Sequence, residues 1–280
     1  MFPTPLIDED IKKWIKDDIT YWDVTTSLIP NIQAEATIIA KQQGIIAGLQ
    51  VMQRVFEIFG AKFEALVEEG QEVEKKTTIA KVSGPIHSLL QAERIALNIF
   101  GRMSGIATLT ARMVEKAKEF NPNLRICATR KVAPGLGKYD KYAVMIGGGD
   151  THRFNLSDMI LLKENHLQFF LSITHAIEEA RKRTSFSKKI EIEVKNEEEA
   201  LEAAEAKPDI IMLDNFSPVQ SKHVIPKIRE INPTVLIELS GNITIENIQD
   251  YPLEDVDLIS SGSLTHSVKN FDVTMLIREI

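Results

Sequence analysis

The chain has 280 residues, 44% hydrophobic and 26% charged, with 33 basic against 40 acidic side chains and a formal net charge of −7. This is ordinary globular composition, long enough for one barrel or two domains with a sizeable core, and its acidity disfavours nucleic acid as a partner. A single cysteine, Cys127, excludes an internal disulfide, and no apolar run approaches the ~20 residues that cross a bilayer.

The opening MFPTPLIDED lacks the basic region and apolar core of a secretion signal, so a cytoplasmic protein with no membrane partner is expected. Residues 6–19 place Leu6, Ile7, Ile11, Trp14, Ile15 and Ile19 at helical spacing behind acidic residues. Asp23 to Ser27 reads as a turn, 34–48 as two short strands around Gln42, Gln43 and Gly44, and 49–59 as a helix. Residues 61–84 alternate with glycine at the corners, the pattern of a small half-barrel of hairpins. The same stretch resembles biotin- and lipoyl-carrier domains, but Lys75, Lys76 and Lys81 lack the neighbours of a modified lysine, so only the hairpin geometry is carried over. Residues 86–118 form a strong helical pattern, with an interruption expected at GRMSG, 101–105. Arg94 stands among its apolar residues; burying it unpaired would be costly, so it is expected to pair at an interface or to meet an anion.

From Arg125 the rhythm changes to short apolar runs: RICAT (125–129), MILLK (159–163), KIEIEVK (189–195), DIIMLD (209–214), VLIELS (235–240) and DLISSG (257–262). Helical patterns at 173–182, 197–206, 219–231 and 245–251 lie between the later ones. Strands alternating with helices predict a parallel α/β arrangement. The tail from Ser263 begins with His266, suited equally to capping a loop or touching a phosphate, and is expected to end in a short amphipathic helix packed against the first domain.

Cations concentrate in one window. From Arg130 to Lys163 six basic residues stand against three acidic, a balance of +3 that leaves −10 for the rest of the chain. Such an island focuses anionic small molecules. Five of the chain's 14 glycines lie within it, at 135, 137 and 147–149, where backbone N–H groups could approach a ligand. Lys138 and Lys141 read instead as solvated residues of a helix. Each apolar run also ends in a polar residue: Arg130 and Lys131, Lys163, Glu193 and Lys195, Asp214, Ser240, then Ser261 and Gly262. In an α/β barrel the strand C-termini share the face that carries the site. The expected result is one cationic cavity with two carboxylates, its internal repulsion quenched only by a multiply charged guest. Gly241 and Gly262, directly after strands, suit a phosphate.

TRK followed by PG at 129–135, GGG-x-x-HR at 147–153, LLKENH at 161–166, IEIEV at 190–194, LDNF at 213–216, LSGN at 239–242 and SGSLTHS at 261–267, with AERIALN at 92–98 and SGIAT at 104–108, together resemble the type II phosphoribosyltransferases, most nearly the quinolinate phosphoribosyltransferases. The resemblance implies an N-terminal α/β sandwich, residues 1–107 joined by 268–280, and an open, incomplete α/β barrel over 108–267. It implies a homodimer or larger homo-oligomer with shared sites, and a reaction of quinolinate with phosphoribosyl pyrophosphate and Mg2+ that gives nicotinate mononucleotide, pyrophosphate and CO2. On that resemblance Arg130, His152, Arg153 and Lys163 surround the quinolinate carboxylates, joined by Arg94 of a neighbouring subunit. Lys131 faces the pyrophosphate, Glu193 and Asp214 serve the ribose hydroxyls and the metal, and Ser240, Gly241, Gly262 and His266 lie near the 5-phosphate. Lys163, Glu193 and Asp214 are the expected catalytic groups.

Some positions depart from the family pattern. Val132 and Ala133 stand where threonines are common, Leu239 and Asn242 where Ser and Gly are frequent, and Glu164 replaces an Asp. Rival readings are a phosphoribosyltransferase for nicotinate or a related acid, a Schiff-base aldolase using Lys163, and a non-catalytic phosphate-binding barrel.

Overall fold

The structure, a computed structural model, describes residues 2–279. It divides into two compact units, one running to Thr108 and resuming at Val268, the other Leu109–Ser267.

The first unit opens with α1 (Thr4–Asp18), β1 (Gln33–Ala40), β2 (Gly44–Ile45), α2 (Leu49–Ile58), β3 (Lys62–Ala65), β4 (Glu72–Val73) and β5 (Thr78–Pro85). Strand β1 buries Ala34, Ala36, Ile38 and Ala40 at period two, as a strand with one covered face must. Helix α2 buries Leu49, Val51, Met52, Val55 and Phe56. Its first turn is held by Glu69, whose carboxylate accepts the N–H groups of Gly48 and Leu49 at 2.6 and 3.0 Å. Arg54 clamps Asp8 of α1 through two bonds of 2.7 and 2.9 Å.

Helix α3 (Ile86–Lys118) is continuous, against the expected break at GRMSG. A glycine in a helix costs ~1 kcal/mol relative to alanine, and here close backbone packing offsets it. A Cβ on Gly101 would stand 3.0 Å from the carbonyl O of Phe271, and one on Gly105 only 2.4 Å from that of Lys269. The Phe271 N–H donates to the Gly101 carbonyl at 2.8 Å.

The second unit contains β6 (Arg125–Ala128), α4 (Gly137–Ile146), β7 (Ile160–Leu162), α5 (Glu164–Leu167), α6 (Ile173–Arg183), β8 (Ile190–Val194), α7 (Glu197–Ala206), β9 (Ile210–Asp214), α8 (Pro218–Ile231), β10 (Leu236–Ser240), β11 (Leu258–Ser261) and α9 (Ser263–His266). The six strands are parallel, in the order β6-β11-β10-β9-β8-β7. Strands β6 and β7 are the two edges, so the barrel is open and incomplete. The helix expected at 245–251 is a single 3-10 turn, Ile248–Asp250; Pro252 follows it, and the residue before a proline avoids helical angles.

The tail returns to the first unit as a strand, not the expected helix. Strand β12 (Val273–Glu279) lies antiparallel to β1, giving a sheet of order β12-β1-β5-β3. The β-branched Val273, Thr274 and Ile277 favour a strand over the helical spacing expected of Val273, Met275, Leu276 and Ile280, the last of which lies outside the described residues. No helix among the described residues is long and apolar enough to cross a membrane.

Candidate active site

Parallel strands bring their C-terminal ends to one rim, and period-two alternation decides which side chains face inward. Cys127, Ile210 and Leu258 form a buried cluster, with Met159 and Leu236 packed on it. Two residues further along β10 and β9 come Glu238 and Met212, and two further still Ser240 and Asp214. A cavity of about 290 Å³ lies at this level.

Arg130, Lys131, His152, Arg153, Lys163, Glu193, Asp214 and Ser240 all line it, beside Thr129, Ser260 and the apolar Ala128, Leu161 and Met212. Eight residues expected at the site therefore surround one space. Gly241 follows Ser240 with φ +99° and sits against Asn215. Gly262 and His266 reach the site through Lys131: a Cβ on Gly262 would lie 2.8 Å from the His266 ring and 3.0 Å from Lys131 Cδ. Thr265 Oγ1 donates to the Lys131 carbonyl at 2.8 Å, and His266 Nδ1 lies 2.7 Å from Ser267 Oγ. Arg94 belongs to the first unit, where its side chain is exposed and lies 3.4 Å from Glu93.

The loop that presents His152 and Arg153 is held by Asp150 and Lys141. His152 has φ +50°, and its N–H donates to Asp150 Oδ1 at 2.7 Å. Lys141, expected in solvent, is buried. Its Nζ donates to the carbonyls of Thr151 and Arg153, the latter at 2.6 Å, and burial pulls its pKa down to about 8. The glycines at 147–149 are spent on structure, not on a ligand. Their N–H groups donate to Ala143, Met145 and Val144, and a Cβ on Gly149 would stand 2.9 Å from the Ile126 carbonyl.

Beneath the cavity lie Glu191 and Glu238, both fully buried. The Nε2 of His152 is 3.2 Å from one and 3.1 Å from the other. Burial alone would lower the pKa of His152; hydrogen bonding and attraction from the two carboxylates raise it to about 10. Burial and the repulsion of Glu238 push Glu191 upward. Arg153 is drawn below its ordinary value by burial and by Arg130. On the wall, Lys163 is paired with Glu193. Five cations thus meet four carboxylates within the chain, which corrects the expectation that only a guest quenches their repulsion. Period-two glutamates in IEIEV, and a third in LIELS, were the signal for an acidic floor.

The departures from the family pattern find local partners. Glu164 pairs with Lys195, Asn242 donates to Asn215 Oδ1 at 3.2 Å, and Leu239 is buried. Val132 packs beside Gly137. His166 is a cap: its Nδ1 accepts the Lys163 N–H at 2.9 Å.

An open parallel α/β barrel whose strand tips gather cations, carboxylates and a left-handed glycine around one cavity defines a protein that handles a polyanionic small molecule. Residues 106–276 match the C-terminal domain of quinolinate phosphoribosyl transferase and residues 23–104 its N-terminal domain. The chain belongs to that family. It is 43% identical over 271 residues to a probable nicotinate-nucleotide pyrophosphorylase (carboxylating) of Methanocaldococcus jannaschii, covering 95% of each chain. The crystal structure of a NadC deletion mutant superposes with a TM-score of 0.94 at 39% identity, covering 100% of this chain and 99% of the other. The nicotinate-nucleotide pyrophosphorylase of Francisella tularensis does so with 0.92 at 32% identity, covering 99% and 98%.

Proposed function

We propose that this protein transfers the phosphoribosyl group of phosphoribosyl pyrophosphate to quinolinate with loss of CO2, giving nicotinate mononucleotide and pyrophosphate for NAD biosynthesis in the cytoplasm. The observation that carries the reading is the grouping of Arg130, His152, Arg153 and Lys163 with Glu193 and Asp214 around one cavity, in a chain whose two domains both match the family.

The chemistry needs both signs of charge. Quinolinate brings two carboxylates, which arginine forks orient better than ammonium groups; Arg130 and Arg153 take them, with His152 and Lys163. Lys131 meets the pyrophosphate. As that group departs, positive charge grows on the ribose, and Glu193 and Asp214 stabilise it. Ser240, Gly241, Gly262 and His266 receive the 5-phosphate. The ring nitrogen made cationic by ribosylation then stabilises the electron pair left on the ring carbon as its bond to the carboxylate breaks; CO2 leaves and that carbon takes a proton from solvent, while the arginines and Lys163 hold the departing group in place until the bond breaks.

Glu193 and Asp214, on neighbouring strands beside the cavity, are hard oxygen donors that fit Mg2+, which uses one or two carboxylates together with substrate phosphates. Bound there, the ion would neutralise charge on the pyrophosphate. Arg94 completes the quinolinate pocket of a second copy in a homodimer or larger assembly.

Purified protein with Mg2+ and phosphoribosyl pyrophosphate, offered quinolinate or nicotinate in parallel, tests the reading. Equimolar nucleotide and CO2 from quinolinate is expected. Preferential use of nicotinate, or binding of phosphoribosyl pyrophosphate without turnover, would overturn it.

A further inference from the structure

The acidic floor has no part in the roles assigned above. Glu191 and Glu238 come from β8 and β10, which flank β9, and both reach the same nitrogen of His152. Neither is exposed; Glu238 Oε2 is hydrogen-bonded to His152 Nε2 at 3.1 Å, whereas among the described residues both oxygens of Glu191 and Oε1 of Glu238 have no hydrogen-bond partner. A buried ionised carboxylate is expensive unless a nearby cation compensates it. Here the compensating cation is a wall residue of the cavity.

We propose that Glu191 and Glu238 are positioning residues for the diacid: Glu238 takes the Nε2–H of His152, Glu191 stands 3.2 Å from the same nitrogen, and between them they keep both ring nitrogens protonated, leaving the Nδ1–H as a donor to a substrate carboxylate. The proposal rests on the reading of the cavity as the quinolinate site. A neutral imidazole held by one carboxylate would serve the cavity with less charge. The second carboxylate lies 3.2 Å from the same nitrogen, and Glu191 also attracts Arg153 against the repulsion of Arg130. The floor thus lets two adjacent cations, His152 and Arg153, persist when the cavity holds no anion.

Of the charged groups around His152, the carboxylates support this state and the cations oppose it. Glu191 faces it from β8, Glu238 from β10, and Asp150 and Arg153 from its own loop. Lys141 reaches that loop from α4. From β6, Cys127 stays a neutral thiol, because burial and the neighbouring carboxylates push its pKa up. With the carboxylates opposing burial, the imidazole stays charged well above its ordinary 6.5.

The test replaces charge while retaining shape, since a glutamine side chain still accepts from Nε2–H. In protein carrying 15N-labelled histidine, with the His152 resonance assigned by its loss in His152→Asn, wild-type His152 should remain doubly protonated to pH 9. In the Glu191→Gln/Glu238→Gln protein it should titrate below about 6.5. The KM for quinolinate should rise about 10- to 100-fold, with kcat and the KM for phosphoribosyl pyrophosphate little changed.

A wild-type imidazole that is neutral at pH 8 overturns the proposal. So does an equal loss for both substrates with an unaltered titration, which would mark a purely structural role. A stoichiometric metal ion in the purified protein, lost with the two glutamates, would make the cluster a metal site instead and overturns it as well. If the double variant does not fold, the wild-type titration and the single variants decide. Failure to convert quinolinate sinks the functional reading, whereas the imidazole titration is read without turnover.

Discussion

Lys141 Nζ and the main-chain carbonyl of Arg153 are 2.6 Å apart inside the second unit, so a lysine from a helix outside the cavity wall fixes the loop that forms it. Replacing Lys141 with Met keeps the bulk and removes the donor. Two carbonyls lose a partner, at ~1–3 kcal/mol each, and the loop residues drift from their productive geometry. Turnover of quinolinate should fall on the order of 10- to 100-fold, with a lower urea midpoint. Steady-state kinetics and urea denaturation check both, and wild-type kinetics would refute the role.

Gly241 cannot take a side chain without displacing Asn215, whose Oδ1 would lie 2.3 Å and whose main-chain N 2.8 Å from the new Cβ. Its φ of +99° adds backbone strain of ~1–2 kcal/mol for any L-residue. The Gly241→Ala protein should be less stable and bind phosphoribosyl pyrophosphate weakly. Calorimetric titration with that substrate measures the loss, and unchanged affinity would remove Gly241 from the phosphate site.

Sharing of sites between copies is tested by mixing. An Arg94→Ala chain and a Lys163→Ala chain should each be nearly inactive. After unfolding and refolding together they should recover part of the activity, because hybrid assemblies contain one site with both residues. No recovery would argue against Arg94 acting across subunits.

The raised pKa of His152 makes stability depend on pH, with a definite sign. A group held at about 10 in the fold and 6.5 in its ordinary state contributes stability that is fully present below about 6.5 and lost as pH climbs through about 10. The stability difference between wild type and His152→Asn should therefore shrink steadily from pH 7 to 10.5 in urea denaturation. A constant difference would show that the imidazolium contributes nothing.

The six strands of the second unit and the polar residues at their tips were legible because each run is short, β-branched and followed by a helical period. The middle of α3 was not, since GRMSG is punctuation in local terms, and only the approach of the 269–271 backbone turns two glycines into packing residues. The tail misled for a similar reason: its few residues satisfy both periods, and pairing with β1 chooses between them. Lys141 looked solvated because a lysine on a helix usually is. Glu191 and Glu238 lie inside their strands and not at the tips, yet glutamates alternating with isoleucine on a central strand already imply an acid facing the barrel interior.

Strand β12 is translated after the entire second unit, yet its place is beside β1, one of the first strands made. The flank of β1 that β12 covers therefore stays unpaired until residues 273–279 have been made, and bare flanks of this kind invite strands from other molecules. Holding residues 273–279 away from β1 would leave that flank open to aggregation.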